Sequence, residues 1–323
     1  MIEKVKKNRV TELDALRGIA AMVVVLFHYV HMSKELIGLN LGIDRVQTLF
    51  SYGQYGVHLF FVISGFVIFM TTEKVSNSII FLKKRAIRLY PSYWLCSLIT
   101  FLTVIFFGPE NLKVNFSDFL VNLTMVPDVF KVPNVDGVYW TLKIEIFFYL
   151  VIASIMLVKQ LNKATFITYI YFLFGILIFT FLRPLLYYYY GLLFILGINF
   201  YQLWKKDQQS FHNHFQVILV VLGAFFYGTT LAMVTLTLTA IFYLFIFNKL
   251  QFLNIKVLLL LGKISYVLYL IHQNVGYTIQ IHLLKYTNNP FLLVGCPLLV
   301  SVLASYVITY FYERPVQRFI SRY

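Results

Sequence analysis

Two histidines and an arginine interrupt the apolar stretch RGIAAMVVVLFHYVH, residues 17–31. Arg17 and His28 are eleven positions apart, and at 100° per residue this spacing leaves them only about 20° apart around a helix. The rise of 1.5 Å per residue separates them by about 16 Å along the axis. A neutral imidazole is a general base, so His28 is a candidate for proton transfer. The structural alternatives are an interhelical hydrogen bond for His28 and a snorkelling anchor for Arg17.

A carboxylate occurs in a second apolar stretch, YWTLKIEIFFYL, where Glu145 lies six residues after Tyr139. If this stretch enters the membrane from the outside, Glu145 lies about 10 Å deep, which is comparable to His28. A carboxylate beside a buried imidazole orients the ring as a base. The sequence therefore predicts His28 as the base and Glu145 as its partner. The alternative is a structural pair between Glu145 and Lys143 or an arginine.

Four cations fall within six residues of the segment FLKKRAIRLYPSYW. Arg85 and Arg88 are three residues apart and share a helix face, and Lys83 and Lys84 adjoin them. This cluster would suit an anionic, phosphate-bearing ligand that arrives from the cytoplasm. The alternative is the positive charge that ordinarily flanks the cytoplasmic side of a membrane helix.

A further histidine, His272, lies in the stretch GKISYVLYLIHQ, close to Ser265, Tyr266 and Tyr269. His58 lies in another apolar stretch, GVHLFFVISGF. For both histidines the sequence leaves two roles open, packing in the core or lining a substrate pocket.

Composition determines which elements must position these residues. The chain has 323 residues, 60% of them hydrophobic and 12% charged, against roughly 25% charged in an ordinary soluble domain. Its mean hydropathy is +0.77. Only a bilayer accommodates so much apolar surface, and we predict an all-α, polytopic membrane protein. Cys96 and Cys296 lie in separate apolar runs, without the spacing of a disulfide framework or a metal site.

About twenty apolar residues are needed to cross the hydrocarbon core. By this criterion we predict about ten transmembrane helices. They fall near residues 13–33, 49–71, 89–107, 139–158, 164–182, 184–203, 214–230, 232–248, 257–284 and 291–312.

The chain has a net charge of +14, and its lysines and arginines are unevenly distributed between the two sides of these spans. One alternating set of segments between the spans holds 19 of the 27 lysines and arginines, whereas the other set holds six. Because cytoplasmic loops are enriched in Lys and Arg, both termini are predicted to be cytoplasmic. No polar domain carries a basic stripe, so nucleic acid is not an expected partner. The longest outer loop, 108–138, contains Pro, Asn and Asp turn residues and is expected to form a lid or a binding surface.

Six stretches together resemble the acyltransferase-3 family of bacterial membrane acyltransferases, over nearly the whole chain. The family's Arg/Lys and His, separated by ten residues, match Arg17 and His28 in ELDALRGIAAMVVVLFHY. The others, in the family's order, are GVHLFFVISGFVI, FLKKRAIRLYPSYW, YWTLKIEIFFYL, GKISYVLYLIH and the terminal YERP. One departure is His58, which stands where many members have an acid.

The resemblance implies an O-acyltransferase that moves an acyl group, usually acetyl from cytoplasmic acetyl-CoA, to a hydroxyl of an extracytoplasmic glycan or cell-envelope polysaccharide. His28 would take the proton of the hydroxyl, and Glu145 would hold the imidazole. The residues expected to bind substrate or donor are Arg17, Lys84, Arg85, Arg88, Tyr266 and His272. Acetyl-CoA would be a substrate, with no tightly bound cofactor and no metal.

The same resemblance implies a single transmembrane domain over residues 1–323, in the bacterial cytoplasmic membrane and without an appended extracytoplasmic domain. The acceptor's identity, the choice of short acyl group, a covalent acyl-enzyme and the oligomeric state stay open. The rival hypothesis is an exporter of a polysaccharide or lipid-linked sugar. Exporters tend to have inverted repeats and matched broken helices, whereas the eight prolines here mostly mark loops and helix ends.

Overall fold

The computed structural model describes residues 10–75, 77–157, 186–206 and 211–322. Within these ranges the chain is helical, and seven helices are long and apolar enough to cross a membrane. With two others they are numbered here in chain order. They are α1 (Thr11–Ile37), α2 (Asp44–Thr72), α3 (Ser78–Phe107), α4 (Gly137–Leu157), α5 (Leu186–Lys206), α6 (Phe211–Tyr227), α7 (Thr229–Ile246), α8 (Lys256–Leu284) and α9 (Pro290–Ile320).

The all-α class predicted from composition is confirmed, and the seven candidate spans each correspond to a predicted one. The predicted span at 164–182 lies outside the described residues. α5 occupies most of the predicted span 184–203, and α6 matches 214–230 but is shorter than a typical spanning helix. The count of about ten therefore stays a prediction.

The outer part of α1 departs from regular α-helix. The segment Phe27–Met32 is π-helical, a wider winding that often occurs at functional sites. His28 and Tyr29 lie in this segment. The Tyr29 hydroxyl donates to the carbonyl of His272, 2.6 Å away, and lies 2.8 Å from the Ser301 hydroxyl. One side chain thus joins α1 to α8 and to α9.

α1 and α8 also approach closely nearer the start of both helices. A Cβ atom added to Gly18 would lie 2.6 Å from the carbonyl oxygen of Leu258, and one added to Gly262 would collide with the backbone of α1. Small residues let helix backbones approach where a larger side chain would hold them apart. The histidines of α1 and α8 are consequently borne by two helices that lie against each other.

α3 is longer than the predicted span at 89–107. The side chain of Asn77 accepts hydrogen bonds from the backbone N–H groups of Ile79 and Ile80 and caps the helix. The basic cluster therefore lies within the first turns of α3, because the capped helix begins before the cluster rather than after it.

The connection between α3 and α4 folds back along α3. Tyr93 donates to the carbonyl of Asn122 at 2.7 Å, and the Trp94 indole N–H donates to the carbonyl of Leu123 at 3.0 Å. Trp94 lies thirteen residues before Phe107, the last residue of α3, so the connection returns by about 20 Å. The segment that was expected to form an outer lid is instead packed on α3.

This return determines where α4 begins. The carboxylate of Asp136 is fully buried and accepts a hydrogen bond from the backbone N–H of Asn274 at 3.1 Å. The Tyr139 hydroxyl donates to the carbonyl of Leu270 at 3.0 Å. α4 thus starts beside the middle of α8, well inside the bundle.

The two ends of the described chain lie at one end of the bundle. The Asn254 amide donates to Glu12 at 2.9 Å, which joins the start of α8 to the start of α1. The Gln317 amide donates to the carbonyl of Arg88 at 3.1 Å, which joins the last turns of α9 to α3. We call this end the basic end, because it carries the cluster of α3.

Candidate active site

The side chains of His28 and His272 meet in the interior. The Nε2 atom of His272 lies 3.1 Å from Nδ1 of His28, and the two rings are arranged edge to face. His28 is 9% exposed and His272 is fully buried. The π-helical turn of α1 and the middle of α8 supply the two rings.

Backbone carbonyls determine which nitrogens of the neutral rings carry hydrogen. Nδ1 of His28 lies 2.9 Å from the carbonyl oxygen of Val24, and Nδ1 of His272 lies 2.9 Å from that of Tyr269. A carbonyl oxygen only accepts, so each Nδ1 is the donor. The single Nδ1–H of His28 is then shared between the Val24 carbonyl and His272 Nε2, and Nε2 of His28 retains its lone pair. A general base requires such a free lone pair to accept a proton.

His28 lines a cavity that we call the outer cavity. Its other polar and aromatic lining residues are Phe27, Gln54, His58, Trp140, Tyr190, Tyr269 and Gln273. The His58 ring packs edge-on against Tyr55 and Tyr190, with centroid distances of 5.1 and 5.6 Å. The outer cavity thus combines flat aromatic surfaces with side-chain amides around one imidazole base.

Tyr190 was not predicted as a site residue from the sequence, and neither were three further lining residues, Gln54, Trp140 and Gln273. These three come from the beginning of α2, the beginning of α4 and the middle of α8. Amides and aromatics are common at helix ends, and their spacing carries no sign of a common site. Only the return of the 108–136 segment brings them together.

A second void, the inner cavity, lies nearer the basic end. Arg17, Arg88 and Glu145 line it together with Tyr266 of α8, whose hydroxyl donates to the carbonyl of Leu89 at 3.0 Å. Arg17 interacts electrostatically with both Arg88 and Glu145. Arg17 and Tyr266, both predicted as binding residues, are therefore cavity-lining residues.

The expected pair of Glu145 and His28 does not form in this structure. Glu145 instead accepts a hydrogen bond from Tyr149, one turn further along α4. Because α4 begins beside the histidine pair, Glu145, eight residues after Gly137, lies about 12 Å closer to the basic end than expected. Lys143 is not its partner either, since its ammonium lies 2.6 Å from Asp128.

Arg85 and Arg88 have different surroundings. Arg85 is only 8% exposed, donates to the Thr71 hydroxyl of α2 and lies over the ring of Tyr149, 5.7 Å from its centroid. Arg88 is exposed and lines the inner cavity. At 100° per residue, the two side chains are about 60° apart around the helix axis. This angle is enough to direct one guanidinium into the bundle and the other into the void, although both lie on the same side of the helix.

The voids adjoin one another in series. Val57 and Tyr269 line both the inner and the outer cavity. Arg88 lines both the inner cavity and an open groove at the basic end, where Lys84 is also found. These shared lining residues place the three voids next to one another, from exposed cations, past Arg17, to His28.

The fold and these voids define a helical membrane protein in which a buried histidine pair adjoins a series of voids that begins at a basic surface. The chain belongs to the acyltransferase-3 family, whose model, described as an acyltransferase domain, matches residues 10–310. The chain is an acyltransferase.

Two relatives are similar over different shares of the chain. A protein of Acidianus two-tailed virus named acetyltransferase ORF330 is 26% identical over 292 residues, which is 83% of each chain. The exopolysaccharide production protein ExoZ of Rhizobium meliloti (strain 1021) is 31% identical over 112 residues, which is 32% of this chain and 35% of ExoZ. No solved structure gives a significant match.

Proposed function

We propose that the protein transfers an acetyl group from cytoplasmic acetyl-CoA to a hydroxyl of a glycan or cell-envelope polysaccharide outside the bacterial cytoplasmic membrane. The observation that carries this proposal is the series of voids, which leads from exposed cations at Lys84 and Arg88 to the lone pair of His28. The names of the relatives support acetyl as the group and a polysaccharide as the acceptor.

The basic end is the cytoplasmic end in this proposal. Lys and Arg are enriched on the cytoplasmic side of membrane proteins, and this end carries the cluster of α3 and the basic last turns of α9. Acetyl-CoA is polyanionic and cytoplasmic. Arg88 and Arg17 would attract its phosphates, while the flexible pantetheine arm follows the inner cavity toward Tyr269.

The chemistry needs one base in a defined tautomer. Nε2 of His28 removes the proton of the acceptor hydroxyl as its oxygen bonds to the acyl carbon. The carbon–sulfur bond breaks, and the thiolate takes the proton from Nε2, which releases CoA as a free thiol. While His28 carries both protons, its Nδ1–H donates to His272, which disperses the charge in a site that excludes water.

The outer cavity suits a sugar as acceptor. Trp140 and Tyr190 provide aromatic surfaces, and their rings are 5.3 Å apart. Gln54 and Gln273 provide amides that both donate and accept, which matches neighbouring hydroxyls of a sugar.

The first experiment asks which substance crosses the membrane. Sealed proteoliposomes of known protein orientation receive radiolabelled acetyl-CoA on the side of the basic end, and a glycan acceptor is confined to the other side. We expect covalent label on the acceptor and free CoA thiol on the donor side, because only the acyl group travels along the voids. The His28→Ala protein should give neither product.

An exporter would give a different result. It would move unmodified glycan or lipid-linked sugar without requiring acetyl-CoA. Glycan that crosses in the absence of donor, or acylation that occurs only when both substrates share the cytoplasmic side, would contradict the proposed function.

A second prediction separates the two arginines of α3. Arg88→Ala should raise the KM for acetyl-CoA by about tenfold or more, since a charge-assisted contact to phosphate is lost. Arg88→Lys should restore it only in part, because Lys lacks the bidentate fork. Arg85→Ala should mainly lower the thermal midpoint of unfolding, since its guanidinium bonds Thr71 within the bundle.

Steady-state kinetics and thermal unfolding in detergent measure both effects. An unchanged KM in Arg88→Ala would show that Arg88 does not bind the donor. An increase in KM for Arg85→Ala alone would show that the buried arginine binds it instead.

A further inference from the structure

The groove at the basic end is built from two elements. Lys84 and Arg88 of α3 form one side, and Arg314 and Arg318 of the last turns of α9 form the other. We call these four side chains the basic groove. The amide of Gln317, which lies between the two arginines of α9, donates to the carbonyl of Arg88. The two sides are thus held together by a direct hydrogen bond.

Among the residues that the structure describes, the four cations have no acidic partner at ion-pair distance. None of the ion pairs among the described residues involves them. The nearby Glu313 accepts a hydrogen bond from Gln317 at 3.2 Å. Arg314 lies over the ring of Tyr310, 4.0 Å from its centroid, which leaves the edge of its guanidinium available to a ligand. Glu313 attracts Arg88 and Arg314 electrostatically, but one carboxylate does not balance four cations, and the net positive charge around the groove attracts a polyanion.

We propose that Arg314 and Arg318 belong to the donor site, and that the basic groove binds the phosphate groups of the nucleotide portion of acyl-CoA. This inference rests on the proposed function. The nucleotide of CoA carries a diphosphate and a 3′-phosphate, and a phosphomonoester alone has a charge of about −1.5 to −2 at neutral pH. Because Arg88 lines both the groove and the inner cavity, a nucleotide held in the groove directs its pantetheine arm toward His28.

The phosphate that the basic groove binds could also belong to an anionic lipid headgroup, since basic segments at a membrane surface attract such lipids. The experiment therefore uses full-length protein in two kinds of nanodisc, one of phosphatidylcholine alone and one that also contains phosphatidylglycerol. The probes are CoA and 3′-dephospho-CoA, and the measurement is the Kd by calorimetry.

We expect the double variant R314Q/R318Q to bind CoA about tenfold or more weakly in both nanodiscs. Its preference for CoA over 3′-dephospho-CoA should shrink as well. The single variant R318Q changes an exposed side chain and keeps the contact of Arg314 with Tyr310. Its affinity for CoA should also fall, and this measurement tests the inference even if the double variant folds poorly. The matched control is K249Q/K256Q, two exposed cations, one just after α7 and one at the first residue of α8, that do not line the groove.

Three outcomes overturn the inference. Unchanged CoA affinity in both arginine variants removes Arg314 and Arg318 from the donor site. A loss that appears only with phosphatidylglycerol assigns the groove to a lipid headgroup, and an equal loss in the control reduces the effect to overall charge. If the unmodified protein itself binds no CoA, the proposed function fails, which is a distinguishable result.

Discussion

Replacing His28 with alanine is expected to lower acyl transfer by about 10²- to 10⁴-fold, the usual contribution of a general base. The variant should remain folded, because the Tyr29 contacts of the same π-helical turn stay in place. Transfer of radiolabel from acetyl-CoA to a glycan acceptor measures the activity. Thermal unfolding and CoA affinity show whether the fold and the donor site persist.

His31→Ala is the matched control, because His31 lies in the same π-helical segment. Its Nδ1–H donates to the carbonyl of Gln47 at 3.0 Å, toward the other end of the bundle from Arg17. This variant should keep activity within about threefold of the unmodified protein, because His31 lines neither cavity and substitutions outside such features have small effects. Near-normal turnover by His28→Ala would refute the assignment of the base.

His272→Leu is expected to reduce kcat by about 10²-fold while the KM for donor changes little. Leucine fills the space but offers no acceptor to His28 Nδ1–H, so the ring keeps only the Val24 carbonyl and loses the second acceptor that disperses its charge. His272→Gln should recover part of kcat, because a side-chain amide oxygen accepts a hydrogen bond. A loss of stability alone would affect both variants alike, so this partial rescue distinguishes a positioning role from a structural one.

Glu145→Gln provides the contrast to His272. The carboxylate lies with Arg17 in the inner cavity and accepts from Tyr149, so its removal should alter the KM for acetyl-CoA more than kcat. A large fall in kcat with unchanged KM would restore the pairing of Glu145 with His28 that the sequence predicts. Equal kcat values for the Leu and Gln variants of His272 would argue against the histidine pair.

The sequence was sufficient for the long helices and for the shared face of Arg17 and His28, because periodicity and hydropathy determine both. It placed Glu145 at the wrong depth for one reason. The estimate assumed that α4 begins at the outer surface, but the preceding segment returns along α3 and is bound there by Tyr93 and Trp94. These hydrogen bonds join parts of the chain almost thirty residues apart, and no local pattern encodes them.

The partner of His28 illustrates the same limit. His272 was a candidate for pocket lining, but its contact with His28 joins residues 244 positions apart. The contact depends on the close approach of α1 and α8 at Gly18 and Gly262. Glycines in apolar runs are common, so the residues themselves do not reveal which helices they bring together.

The folding of the 108–136 segment onto α3 has a consequence for how the enzyme protects its donor. A transferase that holds an activated thioester risks losing it to water, and many enzymes prevent this by closing a loop over the site. This segment is already hydrogen-bonded to α3 and, through Asp136, to α8. With the proposed sugar acceptor, discrimination between its hydroxyl and water would then depend on the walls of the outer cavity. Wasteful hydrolysis of acetyl-CoA would be limited by the fit of Trp140 and Tyr190 around the acceptor rather than by any closing motion of this segment.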